Sequence, residues 1–529
     1  MTSSRFCLRL LQVSTVSKAY LSQIKRHNDY LRAVINTAPE SLLLERAHML
    51  DEERKQGNIR GPLHGIPILI KNNIATNEST GLDTTAGSLA LVNSKPRENA
   101  HIVDRLLEAG VILLGKAHLS ELSWWKGKDL ICGWNAVNGQ SQSPYVRGGV
   151  LPDDSYGGHS NPGVSSCGSA IGVAAGFAPI SIGTETFSSL MLPAGRAALY
   201  SLKPSRNHIT TKGIVPISSF SDQPGPMTKT TKDLAVLLDI MTDPGHVPSA
   251  GYISRVTGSW NGLRIGTLDP EVWTYPPESR KVLDPRMEQQ LNYQVREAYE
   301  VIRQHASAFQ GNVPLSLPDT LMINDEFAAL KVFEQDFQTE FESYLQLLET
   351  PQIKSLGELI EFNEKHADKE LPSENGNQDT LKRSHQTSIT VEERTAYAEH
   401  AERNSRQLSI DRILDEYNLN IIIGSAEPGL SMFSASSGYP VAAIPVGYLD
   451  FNRRPHGLCA IAREEGIFVQ LLSAFEATFP QRSLRLSSRR LNKYPKEIYD
   501  NKIESVSPVC RSRLVRAMLG GWEVPSIWV

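Results

Sequence analysis

The spacing of apolar residues in the first part of the chain predicts two amphipathic helices. Apolar residues recur at helical intervals between Tyr20 and Leu31, and residues 41–55 are apolar on one face only. The glycines and the proline that follow are typical of a helix end. We therefore predict two helices within residues 14–56.

Two uninterrupted apolar runs after these helices have the length of buried strands. They are Ile66–Ile70 and residues 111–114, and residues 101–109 between them are predicted to be helical. A strand, a helix and a second strand at this spacing are typical of a βαβ unit with parallel strands. Further strand-like runs occur at residues 421–423 and 441–446. The pattern predicts an α/β fold with a mainly parallel sheet.

Residues 131–168 interrupt this regularity, because they are dense in Gly, Ser, Asn and Pro and show little periodicity. So long an irregular stretch in a compact domain is usually functional. Residues 169–178 are small and apolar, which predicts a tightly packed helix. Further helices are predicted at residues 233–241 and 286–308, whereas residues 362–394 are predicted to be a polar, partly looped excursion.

Composition and charge narrow the classes of protein. The chain has 529 residues with 54 Lys and Arg against 58 Asp and Glu, a net charge of −4, so we expect no nucleic-acid partner. No apolar run is long enough for a membrane span. Five scattered cysteines without metal-ligand spacing favour a reduced compartment. The first residues lack a signal-peptide core, so a cytoplasmic location is expected, with a mitochondrial presequence as the alternative.

The last segment of the chain differs in charge from the rest. Residues 482–516 hold ten Lys or Arg against three Asp or Glu, with little apolar periodicity. Such a run is usually a solvated tail. An anion-binding arm is the alternative.

Lys71 follows the predicted strand Ile66–Ile70 directly. A lysine at the end of a buried strand tends to lose its hydration, which lowers its pKa and makes a neutral amine available. A lysine in this position is more often one that reaches solvent or pairs with a carboxylate. Lys71 is therefore a candidate base, with this structural alternative open.

Two turns rich in serine are further candidates. The segment Gly163–Ser169 precedes the predicted small-residue helix and can present N–H groups and hydroxyls to an anion or a carbonyl, although linkers and helix caps have the same composition. In Gly183–Ala194, a serine between apolar flanks can act as a nucleophile where a base lies nearby. The Gly-x-Ser-x-Gly elbow of α/β-hydrolases is absent from the sequence. His159 is a possible base, but we predict that it lies on a surface loop.

Together these segments resemble the amidase signature family, with the fungal-type amidases as the nearest fit. The resemblance is strongest in Gly61–Asn73, Gly163–Ala175 and Gly183–Ala194. It implies one amidase signature domain over residues 14–480, with a mixed, mainly parallel twisted sheet covered by helices on both faces. Residues 481–529 would then be a basic C-terminal tail.

The resemblance implies a triad of serine, cis-serine and lysine. Lys71 matches the family's base, Ser165 matches the bridging serine held by a cis peptide bond, and Ser189 matches the nucleophile. Lys71 would accept a proton from Ser165 as Ser165 accepts one from Ser189, whose oxygen attacks an amide carbonyl. The oxyanion hole would consist of the backbone N–H groups of Thr186, Phe187, Ser188 and Ser189.

The sequence departs from the family pattern around these residues. Phe187 and Ser188 stand where the family has two glycines, which adopt positive φ easily and let the carbonyl approach the backbone. We therefore expect strain in the oxyanion turn or a narrowed acyl pocket. Other departures are Asn72 for aspartate, Val164 and Cys167 for glycine, and Met191 for arginine.

The predicted activity is hydrolysis of a carboxylic amide to the acid and ammonia or an amine, through an acyl-Ser189 intermediate. We expect a small-molecule amide as the substrate and neither a metal nor an organic cofactor, and the sequence leaves the oligomeric state open. Esterase activity and acyl transfer to an acceptor other than water are alternatives that use the same triad. A catalytically weak or inactive amidase fold that serves as a binding protein is the alternative of a different class.

Overall fold

The computed structural model describes residues 12–151, 154, 157–274, 285–427 and 429–479. The segment 481–529, predicted to be a basic tail, lies outside these residues. Within the described ranges, every helix is too short or too polar to span a bilayer.

Helices occupy the segments where apolar spacing predicts them. The α-helices are, in chain order, α1 (Val13–Leu31), α2 (Glu40–Lys55), α3 (His101–Glu108), α4 (Cys167–Ala174), α5 (Met191–Arg196), α6 (Thr231–Met241), α7 (Pro285–His305), α8 (Ala328–Leu345), α9 (Leu356–Lys365), α10 (Ala367–Glu370), α11 (Asp379–Gln386), α12 (Val391–Ser405), α13 (Arg412–Glu416), α14 (Leu430–Ser437) and α15 (Glu465–Thr478). The predictions over 14–56, 101–109, 169–178, 233–241 and 286–308 are confirmed. The polar excursion over 362–394 is more helical than predicted.

The predicted buried strands are also present. The strands are β1 (Val34–Thr37), β2 (Pro67–Lys71), β3 (Ile112–Ala117), β4 (Trp134–Asn135), β5 (Gly139–Gln140), β6 (Ile180–Glu185), β7 (Tyr200–Lys203), β8 (Gln223–Thr228), β9 (Arg264–Thr267), β10 (Ala308–Gln310), β11 (Met322–Ile323), β12 (Glu326–Phe327), β13 (Ile421–Ser425), β14 (Val441–Tyr448) and β15 (Pro455–Ile461). The predictions cover β2, β3, β13 and β14, whereas the other strands, including the short β1 between the first two helices, were not predicted.

Eleven of these strands form one sheet in the order β1-β3-β2-β6-β8-β7-β14-β15-β13-β9-β10. Neighbours are parallel within β3-β2-β6 and within β13-β9-β10. The remaining neighbours are antiparallel. The α/β class, the mixed sheet and the unit β2-α3-β3 are therefore confirmed, while parallel pairing is confined to these two groups. Central strands such as β14 and β15 are joined by short connections, which only antiparallel pairs allow.

The sheet separates two apolar cores, because alternate residues of a strand face opposite sides. Ile422 of β13 packs in the core that contains Phe433 of α14, whereas Ile421 and Ile423 pack in the core formed with α6, α7 and α15. Helices therefore cover both faces of the sheet, as expected.

A fully buried cluster of Lys126, Glu121 and Glu370 links α10 to the segment after β3. Lys126 Nζ lies 2.7 Å from Oε1 of Glu121 and 2.7 Å from Oε2 of Glu370. Glu370 Oε1 also accepts the backbone N–H of Leu89 at 2.8 Å. Burial, together with the second carboxylate, raises the pKa of Glu121 well above its usual range. The raised pKa favours the protonated form of Glu121, whose side chain shares Lys126 with Glu370.

The predicted site residues meet at one edge of the sheet. β2 and β6 are parallel neighbours, with Ile70 in register with Ile182, so both strands end at the same edge. Lys71 is the last residue of β2 and Glu185 the last of β6. Because α4 packs against both strands, the serine turn that precedes it lies at that edge too.

Candidate active site

Lys71 is completely buried where β2 ends. Its Nζ donates hydrogen bonds to Ser165 Oγ at 2.7 Å, to Thr184 Oγ1 at 2.8 Å and to the Thr184 carbonyl at 3.2 Å. The loss of water around the ammonium group lowers the pKa of Lys71 to about 7, although nearby anionic groups oppose this shift. Near neutral pH, a large fraction of Lys71 is therefore an uncharged amine that can accept a proton.

Thr184 and Asn73 hold Lys71 in place, and sequence reasoning missed both. Asn73 Nδ2 donates to Thr184 Oγ1 at 3.0 Å and to Ser123 Oγ at 3.4 Å. The Thr184 hydroxyl oxygen therefore accepts from both Lys71 and Asn73, which directs the amine toward Ser165. Their positions were the available signal, since Asn73 follows Lys71 by two residues and Thr184 lies in the second serine-rich segment.

Asn72 anchors a loop beside the site. Its Oδ1 accepts from the N–H of Thr85 at 3.0 Å and from the Thr85 hydroxyl at 2.6 Å, and its Nδ2 donates to the Asp83 carbonyl at 2.9 Å. An amide suits this position because it supplies both the acceptor and the donor. The replacement of the family's aspartate therefore leaves a residue with a defined structural role.

The turn that carries Ser165 contacts the turn that carries Ser189 through the backbone. Ser165 is fully buried, and Ser166 donates its N–H to the Ser189 carbonyl at 3.2 Å. Gly163 has φ of 100°, and a Cβ there would lie 2.8 Å from the nitrogen of Pro193. Glycine is therefore required where this turn crosses α5.

The prediction of a cis peptide bond at Ser165 is wrong, since no peptide bond among the described residues is cis. A cis bond that does not precede proline costs about 3–4 kcal/mol. The trans backbone already brings the Ser165 hydroxyl within hydrogen-bond distance of Lys71. The contact between the two side chains therefore does not depend on a cis bond.

Ser189 lies in the turn between β6 and α5 and is 5% exposed. Among the described residues its hydroxyl makes no hydrogen bond, so the structure joins Lys71 to Ser165 but does not join Ser165 to Ser189. Catalytic hydrogen bonds often tighten only when substrate is bound. The first link of the predicted relay is therefore present, and the second is not formed in this state.

The predicted oxyanion turn has free donors and a strained residue. Ser188 has φ of 59°, the left-handed region that glycine adopts more easily. The Phe187 ring packs edge-on against Phe327 of β12, with centroids 6.2 Å apart. Among the described residues, the backbone N–H groups of Phe187, Ser188 and Ser189 donate to no acceptor. These donors are available to a developing oxyanion.

The opposite side of this turn is held by side chains that sequence reasoning missed. The Thr186 hydroxyl donates to Asp222 Oδ1. The Thr186 carbonyl accepts from Lys203 Nζ and from Ser221 Oγ, both at 2.6 Å. Thr186 therefore contributes to the turn through its side chain and carbonyl, in addition to its predicted N–H.

Glu185 fixes the start of α5. Its Oε2 accepts the N–H of Leu190 at 2.6 Å and the N–H of Met191 at 3.0 Å. A carboxylate that binds the first N–H groups of a helix satisfies donors that otherwise have no partner. The helix that follows Ser189 is thereby oriented from the end of β6.

His159 is buried, so its predicted surface location is wrong. Its ring lies edge-on to Phe451, with centroids 5.0 Å apart. Its carbonyl accepts from Asn452 Nδ2 at 2.6 Å. The loop that carries His159 is therefore packed against the connection between β14 and β15.

A narrow cavity with polar and apolar walls opens beside Lys71's partners Thr184 and Asn73. Its lining residues are Asn73, Ser123, Thr184, Thr186, Thr211, Ile214, Val215, Ile217, Asp222 and Gln223. In the described part of the chain, no group of three or more His, Cys, Asp or Glu side chains is arranged to hold a metal ion.

Comparisons with known proteins agree on one family. The sequence profile described as Amidase matches residues 15–306. A probable amidase of Arabidopsis thaliana is 30% identical over 479 residues, which cover 86% of this chain and 85% of that protein. A putative amidase of Schizosaccharomyces pombe is 30% identical over 486 residues, which cover 85% of this chain and 79% of that protein. The solved structure of a peptide amidase from Stenotrophomonas maltophilia superposes with a TM-score of 0.76 at 29% identity. The superposition covers 89% of this chain and 94% of that one.

Proposed function

The chain belongs to the amidase family and is a hydrolase that acts on amide bonds, and from this premise we propose that Lys71, Ser165 and Ser189 are its catalytic triad. One observation carries the proposal, the 2.7 Å hydrogen bond between Lys71 Nζ and Ser165 Oγ. It couples a buried amine with a pKa of about 7 to a serine whose neighbour binds the Ser189 carbonyl. A neutral amine so placed is a suitable general base.

The proposed reaction has two halves. Neutral Lys71 accepts the Ser165 proton, Ser165 accepts the Ser189 proton, and Ser189 Oγ attacks the amide carbon. The same path then returns a proton to the leaving nitrogen, the C–N bond breaks, and ammonia or an amine departs from acyl-Ser189. Water attacks the ester by the same route, which releases the acid and restores Ser189.

The turn after β6 provides the stabilisation that this chemistry needs. Negative charge develops on the carbonyl oxygen in each tetrahedral intermediate. The unpartnered N–H groups of Phe187, Ser188 and Ser189 are the donors that we assign to it. Loss of one such donor typically costs about 10²–10³ in rate.

Peptide amides are the substrates that we propose to test first, because the similar enzyme from Stenotrophomonas maltophilia is a peptide amidase. The decisive experiment combines two readouts on the full chain. A fluorophosphonate probe should form a covalent adduct that peptide mapping locates at Ser189. Ammonia release from dipeptide amides should be blocked by the same probe.

The strained Ser188 and the bulky Phe187 favour a second candidate, a weak or inactive enzyme that acts as a binding protein. A fluorophosphonate adduct at Ser189, together with turnover of a peptide amide at ordinary enzyme rates of about 1 s⁻¹ or more, excludes it. Acyl transfer is separated from hydrolysis by the reaction in water without an added acceptor, since a hydrolase then releases the free acid with every turnover, whereas an acyl transferase requires a second nucleophile.

A further inference from the structure

The Thr186 carbonyl is held by a buried lysine that the proposed triad does not use. Lys203 is the last residue of β7 and is 3% exposed. Its Nζ donates to the Thr186 carbonyl at 2.6 Å and to Ser221 Oγ at 2.9 Å. Ser221 donates to the same carbonyl at 2.6 Å, so two donors converge on one oxygen.

This carbonyl belongs to the same planar peptide unit as the N–H of Phe187. In a trans peptide the two groups point in opposite directions, so donors on the carbonyl leave the N–H free on the other side. The Phe187 N–H indeed donates to no described group. Hydrogen bonds to a peptide carbonyl polarise the unit and strengthen its N–H as a donor.

We propose that Lys203 is a positioning residue for the oxyanion turn, which with Ser221 fixes the Thr186–Phe187 peptide and polarises the Phe187 N–H toward the developing oxyanion. The inference rests on the proposed function, since it assumes attack by Ser189. A charged ammonium group polarises the carbonyl more than a neutral amine does. The effect of Lys203 therefore depends on its protonation.

The groups around Lys203 place its titration close to that of Lys71. Burial lowers the pKa of Lys203 to about 8, with Arg206 acting in the same direction and with Glu185 and Asp222 opposing it. Lys71, by contrast, must lose its proton, at a pKa of about 7. The proposal thus requires a neutral Lys71 and a charged Lys203 together. The rate of reaction at Ser189 should rise through about pH 7 and decline above about pH 8.

The test is the pH dependence of fluorophosphonate labelling of Ser189 in the full chain, which requires no identified substrate. We expect Lys203→Met to slow labelling by about 10-fold near pH 7.5, through the limiting rate rather than through probe affinity, because a donor is weakened but not removed. The alkaline decline should disappear in this variant. Ser221→Ala should slow labelling and keep the decline, since Lys203 still titrates.

Lys229 provides the matched control. Burial also lowers its pKa to about 8, and its Nζ donates to the Ala174 carbonyl at 3.4 Å, away from the oxyanion turn. Lys229→Met should keep both the wild-type rate and the alkaline decline. An alkaline decline that disappears in Lys229→Met would assign that titration to Lys229 and overturn the proposal.

Three results would overturn the proposal: an alkaline decline that persists in Lys203→Met, a wild-type rate in that variant, or a wild-type profile without the decline. If circular dichroism shows that Lys203→Met does not fold, Ser221→Ala decides, and an unchanged labelling rate there overturns the proposal. Absence of any adduct at Ser189 in the wild type would instead refute the proposed function, and this inference with it.

Discussion

The amine of Lys71 lies 2.7 Å from the hydroxyl of Ser165, although 94 residues separate them in the chain. Lys71 lies at an edge of the sheet because β2 ends there, and Ser165 lies at the same edge in the turn before α4. Both side chains are fully buried, so the hydrogen bond between them lies out of contact with bulk water. Electrostatic interactions are stronger in such an environment.

Ser189→Ala should abolish turnover and fluorophosphonate labelling, because it removes the attacking oxygen. Ser188→Ala is the control, since it removes the neighbouring hydroxyl and keeps a side chain at the left-handed position. Mass spectrometry of the labelled peptide is the measurement. Labelling that survives in Ser189→Ala and vanishes in Ser188→Ala would assign the nucleophile to Ser188.

Lys71→Arg and Lys71→Met should both lose most of kcat, since arginine stays protonated and methionine has no base. In the wild type the rate should rise as pH passes through about 7, where Lys71 loses its proton. Initial rates over a pH series, with thermal melts to confirm folding, provide the check. Near wild-type activity in Lys71→Arg would exclude Lys71 as the base.

Thr184→Val should move the acid limb of the pH profile to lower pH. The Thr184 hydroxyl accepts a hydrogen bond from Lys71, and such a bond favours the charged form of the lysine. Loss of this hydrogen bond lowers the pKa of Lys71. It also leaves the amine less firmly oriented toward Ser165, so kcat falls as well. Thr85→Val, which removes a hydroxyl bound to Asn72, should leave the midpoint in place. An unshifted midpoint in Thr184→Val would contradict this role.

The wild type should hydrolyse acetamide and benzamide slowly, because the strained turn weakens the oxyanion hole. Phe187→Gly combined with Ser188→Gly should raise kcat more than it lowers KM, since glycine accepts φ near 59° without strain and the defect lies in the transition state.

Phe327→Ala separates this explanation from simple crowding. It removes the ring that packs against Phe187 and leaves the turn's backbone unchanged. If Phe327→Ala raises activity as much as the double glycine variant does, Phe187 acts as a pocket wall. Ordinary enzyme rates on acetamide in the wild type would also contradict the strain argument.

Glu121→Gln should flatten the decline of stability with rising pH. The folded protein keeps the Glu121 proton well above pH 4.5, whereas the unfolded chain loses it near that value. The folded state therefore binds more protons above pH 4.5, so its stability falls as pH rises. Urea unfolding at about pH 5 and about pH 8 measures the slope. Glu361→Gln, at an exposed position, should leave the slope unchanged, and an equal slope in Glu121→Gln would contradict the protonated carboxyl.

The sequence allowed Lys71 and the two serines to be predicted because each follows a local pattern, a buried apolar run or a turn of small residues. Their partners have no such pattern. Thr184 reaches Lys71 across 113 residues, and Lys203 reaches Thr186 from another strand, so only the sheet order brings them together. β1 was missed because its four residues lie between two stronger helical signals.

The position of Phe327 outside the matched stretch has an evolutionary consequence. The proposed triad, its hydrogen-bond partners and Lys203 all lie within the stretch that the Amidase profile matches, residues 15–306. Phe327, which packs against the oxyanion turn, lies outside it. Substitutions at Phe327 change the packing of the Phe187 ring without replacing any residue of the proposed triad. The packing around the oxyanion turn is thus free to diverge among relatives while the residues of the proposed triad are retained.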